Sequence, residues 1–370
     1  MNDIGLLRRL CEFSALSGFE DQLITFLVGE MTRYADRVEV DGLGNVIAWL
    51  NASPADINLP DGGAQTAMLI AHMDEIGFVV RKVQDDGLLR LWRVGGIPEK
   101  VMAGQLVAVC PEGRDRLPGV IGGRSHHVIG DEEKYVVDKV VDVFVDVGLR
   151  NAAEVCAAGI TVGTPVTWWP FYHVSSGRRV MSKALDNRLA LYILLETLRA
   201  MSARRPATNL AFVATVHEEW SAWGSITGAN SVRPDLAVVL DVAIASDMPG
   251  MDVLTEIKLD AGPVISTYMF HPRGPHMGTV PNPKLRRRLL RTAEEAGIAC
   301  QLGTFYGGMT DSSTMQYSQQ GVAVADVGIP ARYTHYPVEV ASLTDVEATA
   351  RLVERFLTDL PAQLDLSRGS

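Results

Sequence analysis

The sequence predicts an α/β fold, a mostly parallel central sheet flanked by helices, with a small β-barrel-like domain inserted into it. Two observations carry this. From residue 170 to 370, apolar strand segments alternate with helical ones, the order that builds a parallel sheet. From 75 to 169 the texture changes to short Val/Ile/Leu runs separated by glycines, as in GFVVRKV, LLRLWRVGG and GQLVAVC, the pattern of a small β-rich unit. The main domain is therefore expected to be discontinuous, 1–74 with 170–370, and 75–169 to be the insertion.

The first element is a pair of helices. Leu6, Leu7 and Leu10, then Leu23, Phe26, Leu27 and Met31, recur at helical spacing, interrupted at Ser17-Gly18. Residues 38–40 and 46–50 read as strands around the turn DGLGN, and 67–72 (AMLIAH) as a short buried strand. Within the insertion a helix is expected near 151–158. Beyond Pro170 the reading is helix 187–201, strands 210–216 and 236–242, helix 283–297, a strand near 322–327 and helix 346–357.

At 370 residues the chain has room for a substantial core without disulfide support. Cys11, Cys110, Cys156 and Cys300 form no CxxC pair and read as thiols of a reducing compartment. The N-terminus lacks signal-peptide character, and no apolar run is long enough to cross a bilayer, so a cytoplasmic protein with no membrane partner is expected. A net charge of −10 argues against nucleic acid, whose binding needs Lys and Arg to displace counterions.

Ligand sites in open α/β sheets form at the carboxyl ends of strands, so the polar residues that terminate apolar strands are informative. MLIAH ends in His72, with Asp74 two residues beyond; LAFVATVH runs into Glu218-Glu219; AVVL runs into Asp241. Asp186 precedes the helix starting near 187, and His335 lies in the loop after the last expected strand. Singly, each has a structural reading. Asp186 is an N-cap, Asp241 a turn residue, Glu218-Glu219 a solvated strand end, and His72 or His335 a hydrogen-bonded core histidine. Jointly, five strand or loop ends with the same donor chemistry point to a metal centre.

Two imidazoles with several carboxylates and no thiolate suit zinc, cobalt or manganese. A carboxylate can bridge two cations about 3.5–4 Å apart, the spacing at which both act on one hydrolytic transition state. In an extended chain Glu218 and Glu219 point to opposite sides, so one can ligate while the other acts on water. Asp74 on the same side as His72 suits a carboxylate that orients the imidazole. His126-His127 read as a loop or interface feature.

These residues sit in motifs that resemble the tetrahedral-aminopeptidase and glutamyl-aminopeptidase family of co-catalytic metallopeptidases. The motifs are AHMDEIGF (71–78), LDNR (185–188), HEEWSAWGS, the LD of LDVA, GGMTDSSTMQYSQQGV (307–322) and IPARYTHYPVE (329–339), with SALSGFED and VDGLGNV near the start. The resemblance implies a phosphorylase/hydrolase-like catalytic domain and removal of N-terminal residues from peptides with a free N-terminus. It implies two divalent metal ions, His72 and Asp241 completing one site, Glu219 and His335 the other, and Asp186 bridging. Glu218 would be the general base, Asp74 the carboxylate behind His72, and Asp311 part of the substrate pocket. It also implies a homo-oligomer, from dimer to dodecameric shell, joined through the β-rich insertion.

The chain departs from the family pattern at Trp220-Ser221, where Val-Gly is common, at His217 in place of Gln, and at Met309 within Gly-Gly-Thr-Asp. Trp220 and Trp223 either shape the substrate pocket or pack beneath the site. Rival readings are a metal-dependent deacylase of N-acyl amino acids, an endoglucanase-type glycosidase using paired carboxylates, and a noncatalytic assembly that keeps metal for stability.

Overall fold

A computed structural model of the chain describes residues 4–51, 64–251, 255–272 and 278–369. It opens with helices α1 (Ile4–Glu12) and α2 (Asp21–Met31), whose buried stripes are Leu7, Leu10 and Cys11, then Leu23, Leu27 and Met31. Strands β1 (Arg37–Val40) and β2 (Val46–Leu50) form a hairpin, and β3 (Thr66–His72) follows. The hairpin turn is closed by Asp41, whose Oδ1 accepts from the backbone N–H groups of Leu43, Gly44 and Asn45.

The next strands are β4 (Gly77–Val83), β5 (Leu89–Val94), β6 (Leu106–Val109), β7 (Leu117–Gly122) and β8 (Phe144–Asp146). Helix α3 (Ala152–Ala157) and β9 (Pro165–Trp168) complete this region. The strands close as β4-β5-β8-β7-β6-β9, every pair antiparallel. Closure leaves no open edge. Alternate residues such as Phe78 and Val80, Leu89 and Leu91, and Val107 and Val109 fill the barrel, with Trp168 edge-on to Phe78. Asn151 caps α3 by accepting from Glu154 N–H at 3.0 Å.

The chain then re-enters the sheet. In order come β10 (Tyr172–Val174), β11 (Arg179–Ser182), α4 (Leu185–Ala203), β12 (Asn209–Thr215), α5 (Glu218–Ser221), α6 (Trp223–Val232) and β13 (Leu236–Ile244). Then follow β14 (Val264–Phe270), β15 (Gly278–Thr279), α7 (Pro283–Glu295), β16 (Gln301–Tyr306), α8 (Ser312–Met315), β17 (Ala323–Arg332), β18 (Glu339–Ser342) and α9 (Leu343–Thr358).

Among the described residues twelve strands make one sheet, with the path β1-β2-β12-β3-β13-β17-β18-β11-β10 and a branch through β14 to β15 and β16. Its centre, β12-β3-β13-β17, is parallel, and the flanking pairs of the path are antiparallel. The central strands are apolar at nearly every position because both faces are covered. In β3, Ala67, Leu69 and Ala71 pack under helices such as α4 and α9, while Met68 and Ile70 pack on the other face with Ala229 of α6 and Met315 of α8. β12 and β13 divide in the same way, Phe212 and Val238 on one side, Val213 and Val239 on the other.

Three details differ from the sequence reading. β17 extends to Arg332, so His335 lies between β17 and β18 rather than beyond the last strand. Glu218 and Glu219 open a helical turn rather than sitting on extended chain. The branch β14 to β16 was not anticipated, because Ser266 and Thr267 in β14 and Gly303 and Thr304 in β16 interrupt its apolar runs. No described helix is long and apolar enough to cross a membrane.

Candidate active site

The register of the central strands gathers the site. β3 and β12 end together, His72 opposite Thr215, and β13 brings Asp241 opposite Gly328 of β17. Ala184, His217 and His335 each hold a left-handed backbone, with φ of 52°, 60° and 68°. For residues with a Cβ this costs energy that the surrounding contacts must hold in place. Each bend turns a donor inward: Asp186 at the start of α4, Glu218 and Glu219 at the start of α5, and His335 itself.

Asp186 stands at the centre. Its Oδ1 is 3.2 Å from His72 Nε2, and its Oδ2 is 3.4 Å from His335 Nε2. His72 Nε2 also lies 3.8 Å from Glu218 Oε2 and 3.9 Å from Asp241 Oδ1. His335 Nε2 is 3.3 Å from Glu219 Oε2. Two sets of donor atoms, His72–Asp186–Asp241 and Asp186–Glu219–His335, each fall within 4.8 Å of one another, as does His72–Glu218–Glu219. Glu218 and Glu219 diverge toward different imidazoles although they open a helical turn.

A ring of hydrogen bonds fixes these groups. Asp74, fully buried, faces His72 Nδ1 at 3.4 Å. Its oxygens accept from Glu218 N–H at 3.0 Å, Glu219 N–H at 3.1 Å and Ser17 Oγ at 2.6 Å, so one carboxylate ties the histidine strand to the glutamate turn. Glu339 plays a similar part on the other side, accepting from Asp186 N–H and His335 N–H, both at 2.8 Å. Asn187 donates to Leu240 O at 2.9 Å and Arg188 to Met73 O, joining the start of α4 to the neighbouring strand ends. From the barrel, Gly96 O lies 3.2 Å from His335 Nδ1. Sequence reasoning missed Glu339, Gly96, Asn187 and Arg188 as site residues, although all but Gly96 lie inside motifs it singled out.

The electrostatics are those of a cation site. Burial raises Glu218 and Asp241 well above the usual carboxylate range, reinforced for Glu218 by Asp241 and Glu219 and for Asp241 by Asp186. Burial also raises Glu219. Burial alone would raise Asp186 too, but hydrogen bonds from His335 and His72 hold it low. Burial disfavours charge on His72 and His335, yet the surrounding carboxylates pull both above the ordinary imidazole value. Among the described residues no lysine or arginine forms an ion pair with Asp186, Glu218, Glu219 or Asp241, and buried Glu219 Oε1 has no hydrogen-bond partner. Four buried carboxylates against two imidazoles leave negative charge uncompensated, which bound dications would neutralise. The donor set fits divalent metal.

The cluster opens into a pocket bounded by Trp220, Phe305 and Met309 and, from the barrel, by Gly96 and Pro98. Trp220 and Trp223 are 53% and 50% exposed, so neither packs as core beneath the site. Asp311 is buried, outside that lining; its Oδ2 accepts from Thr215 Oγ1 at 2.6 Å, its Oδ1 has no hydrogen-bond partner, and burial pushes its carboxyl up to about 7. His126 and His127 are exposed on a barrel loop and belong to none of the donor clusters found among the described residues.

A buried acid–imidazole cluster at the carboxyl edge of a doubly covered α/β sheet, abutted by a closed barrel, defines a metal-dependent hydrolase. The model of the M42 glutamyl aminopeptidase family matches residues 57–352, and the chain belongs to that family. SgcX of Escherichia coli (strain K12) is 35% identical over 344 residues, 93% of this chain and 90% of its own length. Aminopeptidase APDkam598 from the archaeon Desulfurococcus kamchatkensis superposes with a TM-score of 0.89 at 32% identity, covering 97% of this chain and 95% of that one. The Pyrococcus horikoshii TET1 peptidase, described as assembling into a tetrahedron or a large octahedral shell, gives 0.83 at 27% identity, covering 96% and 99%. The protein is thus a metal-dependent aminopeptidase, and the deacylase, glycosidase and noncatalytic readings are not favoured.

Proposed function

We propose that the chain removes N-terminal residues from peptides at a two-metal centre, His72, Asp186 and Asp241 holding one cation and Asp186, Glu219 and His335 the other. The observation that carries this is the two-sided contact of Asp186, one oxygen toward each imidazole. Zinc or cobalt, with manganese as a third candidate, suits the N/O donor set. When bound, the cations supply Lewis acidity toward water and the scissile carbonyl.

Glu218 is the general base in this reading. Its carboxylate takes a proton from the attacking water, the resulting hydroxide adds to the carbonyl carbon, and the same proton passes to the amine nitrogen as the C–N bond breaks. Burial raises its proton affinity, the direction that suits a carboxylate which must both accept and return a proton. Asp74 orients His72 and, through the Glu218 and Glu219 N–H groups, the glutamate turn. Asp311 serves the substrate pocket from beneath, bracing the start of α8 against Thr215.

Residues 75–169 act as the oligomerisation domain, carried on a catalytic domain of 1–74 and 170–370, in a homo-oligomer between a dimer and a dodecamer. The free thiols of Cys11, Cys110, Cys156 and Cys300 support work in the cytoplasm.

The test is a panel of aminoacyl p-nitroanilides assayed with zinc, cobalt and manganese, with and without chelator, alongside Glu218→Gln. Turnover that chelator abolishes, and a variant that keeps metal while losing at least about a hundredfold in kcat, are expected. Normal turnover by Glu218→Gln would remove it as the base.

A further inference from the structure

The walls of the pocket above the cluster carry a second message, about which N-terminal residue is removed; it rests on the aminopeptidase reading above. Val242 and Ile244 continue β13 beyond Asp241, two residues apart on one face of the strand. Trp220 follows Glu219 directly and stands half-exposed at the pocket, where its indole meets solvent rather than core. Phe305 faces it from β16. Its ring is locked against the 307–310 loop, since a Cβ on Gly308 would overlap it. Behind Phe305 lies a small hollow that shares Asp241, Val242, Ile244, Phe305 and Thr310 with the pocket and is backed by Ile257, Val264 and Met269, with Asp326 also in its lining. On the side formed by Val242, Ile244 and Phe305 the wall is apolar, with further aliphatic side chains behind it.

Charge points the same way. Among the described residues the lining contains no lysine or arginine, and its acids are those of the metal cluster. Besides the cluster's His335, His271 is the one further ionisable side chain among the described residues of that lining. An N-terminal glutamate would bring a fifth carboxylate beside four others, without a guanidinium or ammonium among the described residues of the lining to meet it. An N-terminal lysine would find only carboxylates already committed to the cations. A neutral, bulky side chain loses nothing on entering and gains the burial of its surface.

We propose that this pocket selects neutral, bulky apolar N-terminal residues, leucyl, methionyl or phenylalanyl, with Trp220 and Phe305 as the specificity determinants.

The test uses the metal-replete full chain on leucyl, methionyl, phenylalanyl, alanyl, glutamyl and lysyl p-nitroanilides. The three apolar substrates are expected to exceed glutamyl and lysyl in kcat/KM by at least about tenfold, on the scale at which a hydrophobic pocket discriminates. Trp220→Ala and Phe305→Ala should lower the leucyl-to-alanyl ratio by about tenfold, mostly through KM, while Phe305→Leu, which keeps the wall apolar, holds the ratio. Glutamyl or lysyl turnover equal to or above leucyl overturns this proposal alone, as does an unchanged leucyl-to-alanyl ratio in both alanine variants. No turnover of any substrate with any metal overturns the aminopeptidase reading and this proposal with it.

Discussion

Asp74 illustrates how much one buried side chain arranges. Three donors converge on it while it faces His72 Nδ1, so an amide in its place must offer N–H where one of the backbone N–H groups now points. Asp74→Asn is expected to lower metal affinity about 10–100-fold, the usual effect of losing a carboxylate behind a ligating histidine. Chelator-competition titration measures this, and an unchanged affinity would sink the orienting role. Gly96 offers a steric counterpart. A Cβ there would stand 2.9 Å from His335 Nδ1, so Gly96→Ala should displace the imidazole, with bound metal per chain falling while the unfolding midpoint of the metal-free protein stays nearly fixed. His72, Asp241 and the glutamate pair were legible in the sequence because each ends an apolar run. Gly96 and Glu339 were not. Gly96 meets a histidine 239 residues away, and Glu339 a backbone N–H 153 residues away, and no local pattern encodes such a meeting.

At the scale of elements, the central strands were readable because burial on both faces makes them uniformly apolar, and uniform apolarity survives without knowledge of partners. The α5 turn was not: four residues are too few for periodicity to speak, and its geometry comes from the contact of Asp74 with its first N–H groups. β17 shows a further consequence of burial. Asp326 sits in the middle of this strand, its Oδ1 accepting from Thr310 Oγ1 and Ser312 Oγ at 2.6 and 2.7 Å and so tethering the start of α8. Burial pushes its carboxyl from 3.8 up to about 6. A raised carboxyl binds its proton more tightly in the folded state, so its stabilisation is complete below the unfolded value near 3.8 and is lost as pH rises through about 6. Relative to Asp326→Asn, which does not titrate, the wild type should lose up to about 3 kcal/mol across that window. Urea unfolding of both proteins at several values between pH 4 and pH 7 checks this; a difference independent of pH contradicts it.

For the whole molecule, the β-barrel-like character of 75–169 was legible in its short glycine-separated runs, but the strand order that closes the barrel was not, since it depends on β4 pairing with β9 across most of the insertion. The outside of this barrel is unusually apolar. Trp92 and Leu106 are about half-exposed, and Val128, Tyr135 and Val136 on the loop between β7 and β8 are 83%, 89% and 65% exposed. Exposed apolar side chains that form a contiguous patch mark association surfaces, and the β7–β8 loop alone carries Val128, Tyr135 and Val136. With the barrel as the proposed oligomerisation domain, the native mass in solution should be a multiple of the 40.2 kDa chain, read by light scattering after gel filtration. Placing charge on the loop, as in the double variant Tyr135→Asp with Val136→Asp, would put two carboxylates into a desolvated contact and should shift the population to smaller species. Because the proposed metal ligands come from the sheet domain and not from the barrel, the smaller species should still bind metal with near-native affinity. A wild type that runs as a 40.2 kDa monomer at micromolar concentration, or a double variant with unchanged mass, would remove this loop from the assembly surface.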